Sequence, residues 1–199
     1  TGQGKSTTLA SLLQSRAEKK AQHILTVEDP IEYLIDSKNS IVQQREIGRD
    51  VKSYEDGIIG SLREDPDVLM IGEIRDLETA EVAYKAASTG HLVVSTLHTN
   101  DASATVARLV DMGIEPYMIA ESTSLITAQR LIRKVCQKCI ADHSVPKEVL
   151  LNLGVAEDQL EEFSSIKKGE GCEACMGTGT AGRVAIFEVM PFNAKVREA

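Results

Sequence analysis

Three short apolar runs, separated by segments of helical period, constrain the fold of this chain more than any other feature. His23-Ile-Leu-Thr-Val, Asp67-Val-Leu-Met-Ile and His91-Leu-Val-Val-Ser are near-continuously apolar, the pattern of strands buried on both faces. Residues 5–20, 56–63, 76–88 and 101–112 repeat apolar positions at helical spacing. The stretch 53–61 is the least regular of these, because Gly57 and Gly60 interrupt it. Strands alternating with helices predict an α/β fold, a parallel sheet covered on both sides. The alternation stops near residue 128, so 1–127 is the expected core and 128–199 a second region. That region reads as a basic strand-like stretch, a cysteine pair, an acidic helical stretch over 147–163, a second cysteine pair and a glycine-rich turn.

Charge and composition exclude several classes. A net charge of −8, with four Tyr, three Phe and no Trp, supplies neither a cationic coat nor a stacking platform for nucleic acid. No apolar run approaches the ~18 residues that a membrane span needs. The N-terminal residues lack the basic start and apolar stretch of a signal peptide.

The chain opens Thr1-Gly-Gln-Gly-Lys-Ser-Thr-Thr, the second part of G-x-x-x-x-G-K-[ST] without its first glycine. Gly2 and Gly4 let backbone N–H groups turn toward a phosphate, and Lys5, Ser6 and Thr7 complete the cradle. Lys5 is expected on the β/γ-phosphates of ATP and the Ser6 hydroxyl on Mg²⁺, with the positive end of the following helix aimed at the same anion. A glycine-rich turn before an ordinary helix would look the same from this half-motif alone. Downstream, Asp67-Val-Leu-Met-Ile-Gly-Glu73 is a buried strand leading to a carboxylate, where a phosphate-loop fold needs a group near the metal and the attacking water. The acidic residue usual just before that glutamate is Gly72 here, which leaves Mg²⁺ to Ser6, phosphate oxygens and water.

Cys136, Cys139, Cys172 and Cys175 form two Cys-x-x-Cys pairs separated by 32 residues. Four thiolates in two such turns suit a tetrahedral, structural Zn²⁺ site with no open position for chemistry. A redox dithiol would need one pair behind a thioredoxin-like strand.

Thr26-Val-Glu-Asp-Pro-Ile-Glu-Tyr33, Leu62-Arg-Glu-Asp-Pro-Asp-Val-Leu-Met-Ile-Gly-Glu-Ile-Arg-Asp76 and Thr89-Gly-His-Leu-Val-Val-Ser-Thr-Leu-His-Thr-Asn100 resemble an aspartate box, a Walker B region and a histidine box. With the phosphate loop, these ordered motifs resemble the ATPases of type II secretion and type IV pilus assembly over nearly the whole chain. The resemblance implies a RecA-like phosphate-loop NTPase core with a small tetracysteine zinc-binding subdomain and a helical C-terminal part. It implies Glu73 as the catalytic glutamate, Glu28 as a second acidic group near the metal, and His98 as a contact to the γ-phosphate. Arg63 and Arg75 would support the site, and Arg130 and Arg133 would be phosphate or subunit contacts. An arginine found in relatives four residues before Arg63 is Ile59 here, so its role does not transfer. The bland readings stand beside these: Glu28 and Asp29 as turn caps before Pro30, His98 as a buried histidine, and His91 as a structural one.

The same resemblance implies a homo-hexameric ring, acting through an inner-membrane platform protein and a cytoplasmic recruiting partner at the inner face of the cytoplasmic membrane. No nucleic-acid partner is expected. Gln43-Gln-Arg-Glu-Ile-Gly48 resembles the pilus-retraction branch, whereas the cysteine pairs and Gly177-Thr-Gly-Thr-Ala-Gly-Arg-Val-Ala-Ile-Phe-Glu188 resemble the assembly and secretion branch. A retraction motor is therefore the alternative, ahead of a DNA-handling RecA-type translocase or a non-enzymatic zinc module. Because the sequence starts inside the phosphate loop, the chain is expected to be a piece of a longer protein whose N-terminal domain supplies arginines to a neighbour's nucleotide.

Overall fold

The computed structural model describes residues 2–198; Thr1, the first residue of the phosphate loop, and Ala199 lie outside the described residues. The chain divides into two units, Thr1–Arg130 with Phe187–Ala199, and Leu131–Ile186. The last residues thus return to the first unit, whereas the sequence division at 127/128 had left them with the cysteines.

The first unit is built on a parallel sheet. Its strands are β1 (His23–Glu28), β2 (Ile41–Glu46), β3 (Val68–Ile71) and β4 (Leu92–Ser95), in the order β2-β1-β3-β4. The central strand β1 pairs from His23 opposite Ile41 to Glu28 opposite Glu46, and on its other side from Ile24 opposite Val68 to Val27 opposite Ile71. The predicted strands form where the apolar runs lie: in β1 five of six residues are buried and in β3 all four, but β4, expected to be buried on both faces, is the edge strand and has no buried residue.

Successive side chains alternate between the two faces of a strand. Ile24, Val68 and Met70 face Leu13 and Ala17 of helix α1 (Lys5–Lys19). Leu25, Val27, Leu69 and Ile71 face the other way, into a core shared with α2 (Tyr54–Ser61), α3 (Leu77–Ser88), α4 (Ala102–Asp111) and α5 (Pro116–Ser122). Each fully buried Leu, Ile or Val contributes on the order of 1.5–3 kcal/mol.

Three of these helices start as their residues dictate. The side chains of Ser53, Asp76 and Asp101 accept hydrogen bonds from the N–H of Asp56, Thr79 and Ala104 at 3.1, 2.8 and 2.7 Å. Helix α2 forms although two glycines interrupt its sequence. A Cβ at Gly57 would lie 2.8 Å from Val27 Cγ1, so the missing side chain is what lets α2 pack on β1.

Strand β2 and helix α5 were not anticipated. Ile41-Val-Gln-Gln-Arg-Glu has only two apolar residues and lies at the sheet edge, partly exposed, so its strand character comes from pairing with β1.

The second unit corrects the expected helical insert. Residues 147–163 hold only the short helices α6 (Lys147–Asn152) and α7 (Leu160–Phe163), joined through a 3-10 turn. Gly154, at φ 83°, ends the first of them. They sit between strands β6 (Ile140–Ser144) and β7 (Ser165–Gly169), which pair antiparallel from Ile140 opposite Gly169 to Ser144 opposite Ser165. Long strands β5 (Leu125–Val135) and β8 (Thr180–Pro191) form a further two-stranded sheet, and only α8 (Ala194–Glu198) is helical after it. The C-terminal part is therefore mainly strand. No helix among the described residues is long and apolar enough to cross a membrane.

Candidate functional site

Helix α1 starts directly from the glycine turn. Gly2 and Gly4 have φ of 74° and 80°, a left-handed backbone that side chains disfavour. No side chain caps this end and no acidic residue stands in its first turn, which leaves the positive end of the helix for an anion. Ser6 follows Lys5 in that turn, half-buried, and the Thr7 hydroxyl lies 2.9 Å from the Tyr33 hydroxyl.

At the C-terminal ends of β3 and β4, charged side chains converge on Lys5. Lys5 Nζ donates to the Leu97 carbonyl at 2.7 Å and lies 3.4 Å from His98 Nδ1. His98 Nε2 lies 3.0 Å from Glu73 Oε2. A proton on Nε2 satisfies both neighbours: that nitrogen donates to the carboxylate, and Nδ1 accepts from the ammonium. Arg75 forms an ion pair with Glu73 Oε1 and lies 3.8 Å from Asp29. The Arg75 guanidinium, aided by His98, holds the Glu73 carboxyl below its ordinary range against a burial effect of opposite sign. Burial lowers the Lys5 ammonium, and the Glu73 charge partly offsets this. Glu73 is thus an ionised carboxylate, suited to orienting a water more than to holding a proton.

Gly72 lies against β1, its N–H donating to the Val27 carbonyl at 2.8 Å. A Cβ there would stand 3.1 Å from the Tyr54 hydroxyl and 3.4 Å from Glu28 Cα, so the residue's smallness is steric in origin. Burial, with Glu73, Asp29 and Glu28 nearby, pushes the Tyr54 phenol up to about 12, so it stays protonated. Glu28, the last residue of β1, is buried, and its Oε1 accepts from Thr26 Oγ1 at 2.6 Å and Gln44 Nε2 at 3.0 Å.

Other expected residues lie apart. Arg63, in the 3-10 turn Leu62–Glu64, is exposed and makes no ion pair among the described residues. Arg130 is exposed, and its Nη2 donates to the Asn100 carbonyl at 3.3 Å. Arg133 is an exposed residue of the second unit. His91 is structural, with Nδ1 3.0 Å from Thr89 Oγ1 and 3.1 Å from the Ala86 carbonyl at the end of α3.

Gln129 escaped the sequence reading, which took its segment for the cations. Its Nε2 donates to the Gln3 carbonyl at 2.8 Å and its Oε1 accepts from Thr8 Oγ1 at 2.7 Å, so one amide holds the glycine turn to the helix behind it. Its place beside Arg130 is the only signal the sequence offers for it.

In the second unit, the Sγ atoms of Cys136, Cys139, Cys172 and Cys175 all lie within 4.8 Å of one another. Cys136–Cys172 and Cys139–Cys175 are 3.9 Å apart and Cys172–Cys175 3.7 Å. Four sulfurs at about 2.3 Å around one tetrahedral ion stand about 3.8 Å apart, so this donor set fits a single Zn²⁺. The N–H groups of Cys172 and Gly179 donate to Cys175 Sγ at 3.2 and 3.3 Å, contacts that favour the thiolate a metal binds.

Comparison with known proteins shows the family. The family model described as "Type II/IV secretion system protein" matches residues 1–199. The Type IV pilus assembly ATPase PilB of Myxococcus xanthus is 47% identical over 193 residues, covering 96% of this chain and 33% of that protein. The Type II secretion system protein E of Aeromonas hydrophila is 44% identical over 200 residues, covering 100% of this chain and 38% of that protein. Among solved structures, the pilus retraction motor PilT with bound ADP superposes with a TM-score of 0.73 at 36% identity, over 99% of this chain and 46% of that one. The Legionella pneumophila ATPase DotB superposes with a TM-score of 0.72 at 30% identity, over 100% of this chain and 45% of that one. The chain spans about a third of the length of these curated relatives.

Proposed function

The chain belongs to the type II/IV secretion system protein family, and from that premise we propose that it is the ATP-hydrolysing part of a motor for type II secretion or type IV pilus assembly. The observation that carries this reading is the run of contacts from Lys5 through His98 to Glu73 and Arg75, at the edge where parallel sheets bind ligands.

In this reading Gly2, Gly4, Lys5, Ser6 and Thr7 receive the phosphates of ATP. Lys5 exchanges the Leu97 carbonyl for phosphate oxygen, and Ser6 would hold Mg²⁺, which when bound neutralises charge on the phosphates. Glu73 orients the attacking water, and Glu28 supplies the second carboxylate near the metal. His98, bonded to Glu73, faces the γ-phosphate. Phosphoryl transfer asks chiefly for positioning and charge stabilisation, which these residues offer. Arg63 would support the site, and Arg130 would be a phosphate or subunit contact.

The four cysteines would hold a structural Zn²⁺, leaving no coordination position for chemistry. The motor works as a homo-hexamer at the cytoplasmic face of the inner membrane, engaging a platform protein and a recruiting partner. The cysteine cluster and the 44–47% identity to assembly and secretion proteins favour these over retraction.

The test is Glu73→Gln in the full-length protein. It should abolish ATP turnover and spare nucleotide binding, because charge at the water is lost while the phosphate cradle stays. Turnover at the unsubstituted rate would refute the role.

A further inference from the structure

Gln44 lies on the edge strand β2, opposite Thr26 of β1, and in this register it shares a sheet face with Thr26 and Glu28. Its side-chain amide makes three hydrogen bonds. Nε2 donates to Glu28 Oε1 at 3.0 Å and to the Tyr33 carbonyl at 2.9 Å, while Oε1 accepts from the Ile35 N–H at 2.8 Å. The Thr26 hydroxyl donates to the same Glu28 oxygen at 2.6 Å. One carboxylate oxygen is thus clamped by two donors, and Glu28 Oε2 makes no hydrogen bond among the described residues. The loop between β1 and β2 is held by the same amide, and its Tyr33 hydroxyl reaches Thr7 in the first turn of α1.

We infer that Gln44 is a positioning residue for the nucleotide reaction, fixing the Glu28 carboxylate so that its second oxygen faces the site, and tying it to the loop that contacts the phosphate-binding helix. This rests on the reading of Glu28 as a carboxylate of the ATP site. The physical basis is satisfaction of a buried charge. A buried carboxylate without its donors is free to swing, whereas two donors on one oxygen hold it in one orientation. An amide is the side chain that suits, because it must donate to two acceptors and accept from one N–H. Glutamate at this position would keep the acceptor for Ile35 and bring a like charge to Glu28. Methionine would keep the length and lose all three bonds.

The experiment measures kcat, KM for ATP and the thermal midpoint for Gln44→Met and Gln44→Glu in the full-length protein, with Glu28→Gln in parallel. Losing a hydrogen bond to a charged group should lower kcat by about tenfold or more. KM should stay within about twofold, and the fall should exceed any loss of folded protein. A kcat within about twofold of the unsubstituted protein in both variants overturns the inference, as does a fall that merely tracks a lowered thermal midpoint. Full turnover in Glu28→Gln removes the reading of Glu28 and the inference with it. Loss in Glu28→Gln without loss in either Gln44 variant removes the inference alone.

Discussion

Glu73 and Arg75 stand two residues apart beyond the end of β3 and form an ion pair through Glu73 Oε1, while Glu73 Oε2 accepts from His98 at 3.0 Å. Both oxygens of one mostly buried carboxylate are therefore engaged, and its charge is held by a guanidinium that also reaches toward Asp29.

This arrangement makes the titration of Glu73 depend on Arg75. The carboxyl lies below its ordinary range mainly because of that cation. Stabilisation from the ionised carboxylate is complete above the unfolded carboxylate pKa and is lost as pH falls through the lowered native value. In Arg75→Met the native value should rise, so that the stabilisation is smaller and its loss is complete at a higher pH. Carbon-13 NMR of the Glu73 carboxyl against pH reads this directly; an unchanged midpoint would show that Arg75 does not set it.

The close approach at Gly72 predicts a steric penalty. Gly72→Ala puts a Cβ 3.1 Å from the Tyr54 hydroxyl. Thermal or denaturant unfolding should show a loss of about 1–3 kcal/mol, the usual cost of overpacking. In a Tyr54→Phe background the contacting oxygen is gone, and the same substitution should cost less. Equal penalties in both backgrounds would place the strain in the backbone.

Full-length protein, purified reduced, should carry one Zn²⁺ per chain by elemental analysis, and Cys136→Ser should lose it. A chelator should raise amide exchange in the second unit, Leu131–Ile186, because binding energy of a four-thiolate site is folding energy for a segment with little core. Absence of stoichiometric metal would leave the sulfurs as a packed thiol cluster.

Turnover should depend on assembly. The described phosphate site gathers Lys5, His98 and Glu73, and its Arg75 guanidinium is taken up by Glu73, so a cation for the developing charge is best delivered by a neighbour. The rate per subunit of full-length protein should rise with concentration until rings form. A constant rate from monomer to oligomer would show a complete site in each chain.

The sequence by itself determined the features carried by local pattern. Near-continuous apolar runs mark β1 and β3 because a strand buried on both faces admits few polar side chains, whereas the similar run of β4 lies at the sheet edge with none of its residues buried. Glu73 and His98 could be picked out because each follows such a run, and parallel sheets bind ligands beyond their C-terminal ends. The cysteine quartet was legible from two identical spacings. Tertiary structure alone decided the rest. Strand β2 has little apolar content and is a strand because β1 lies beside it. The acidic insert looked helical, but Gly154 stops its first helix and antiparallel pairing of β6 with β7 defines its ends. Gly57 and Gly72 read as helix breaker and missing acid, yet at Gly57 β1 comes too close for a side chain, and at Gly72 a Cβ would press on Tyr54. Gln44 and Gln129 were invisible as site residues because a glutamine takes its role from its partners. Gln129 finds one of them 126 residues away, and only the folded chain brings such groups within hydrogen-bond distance.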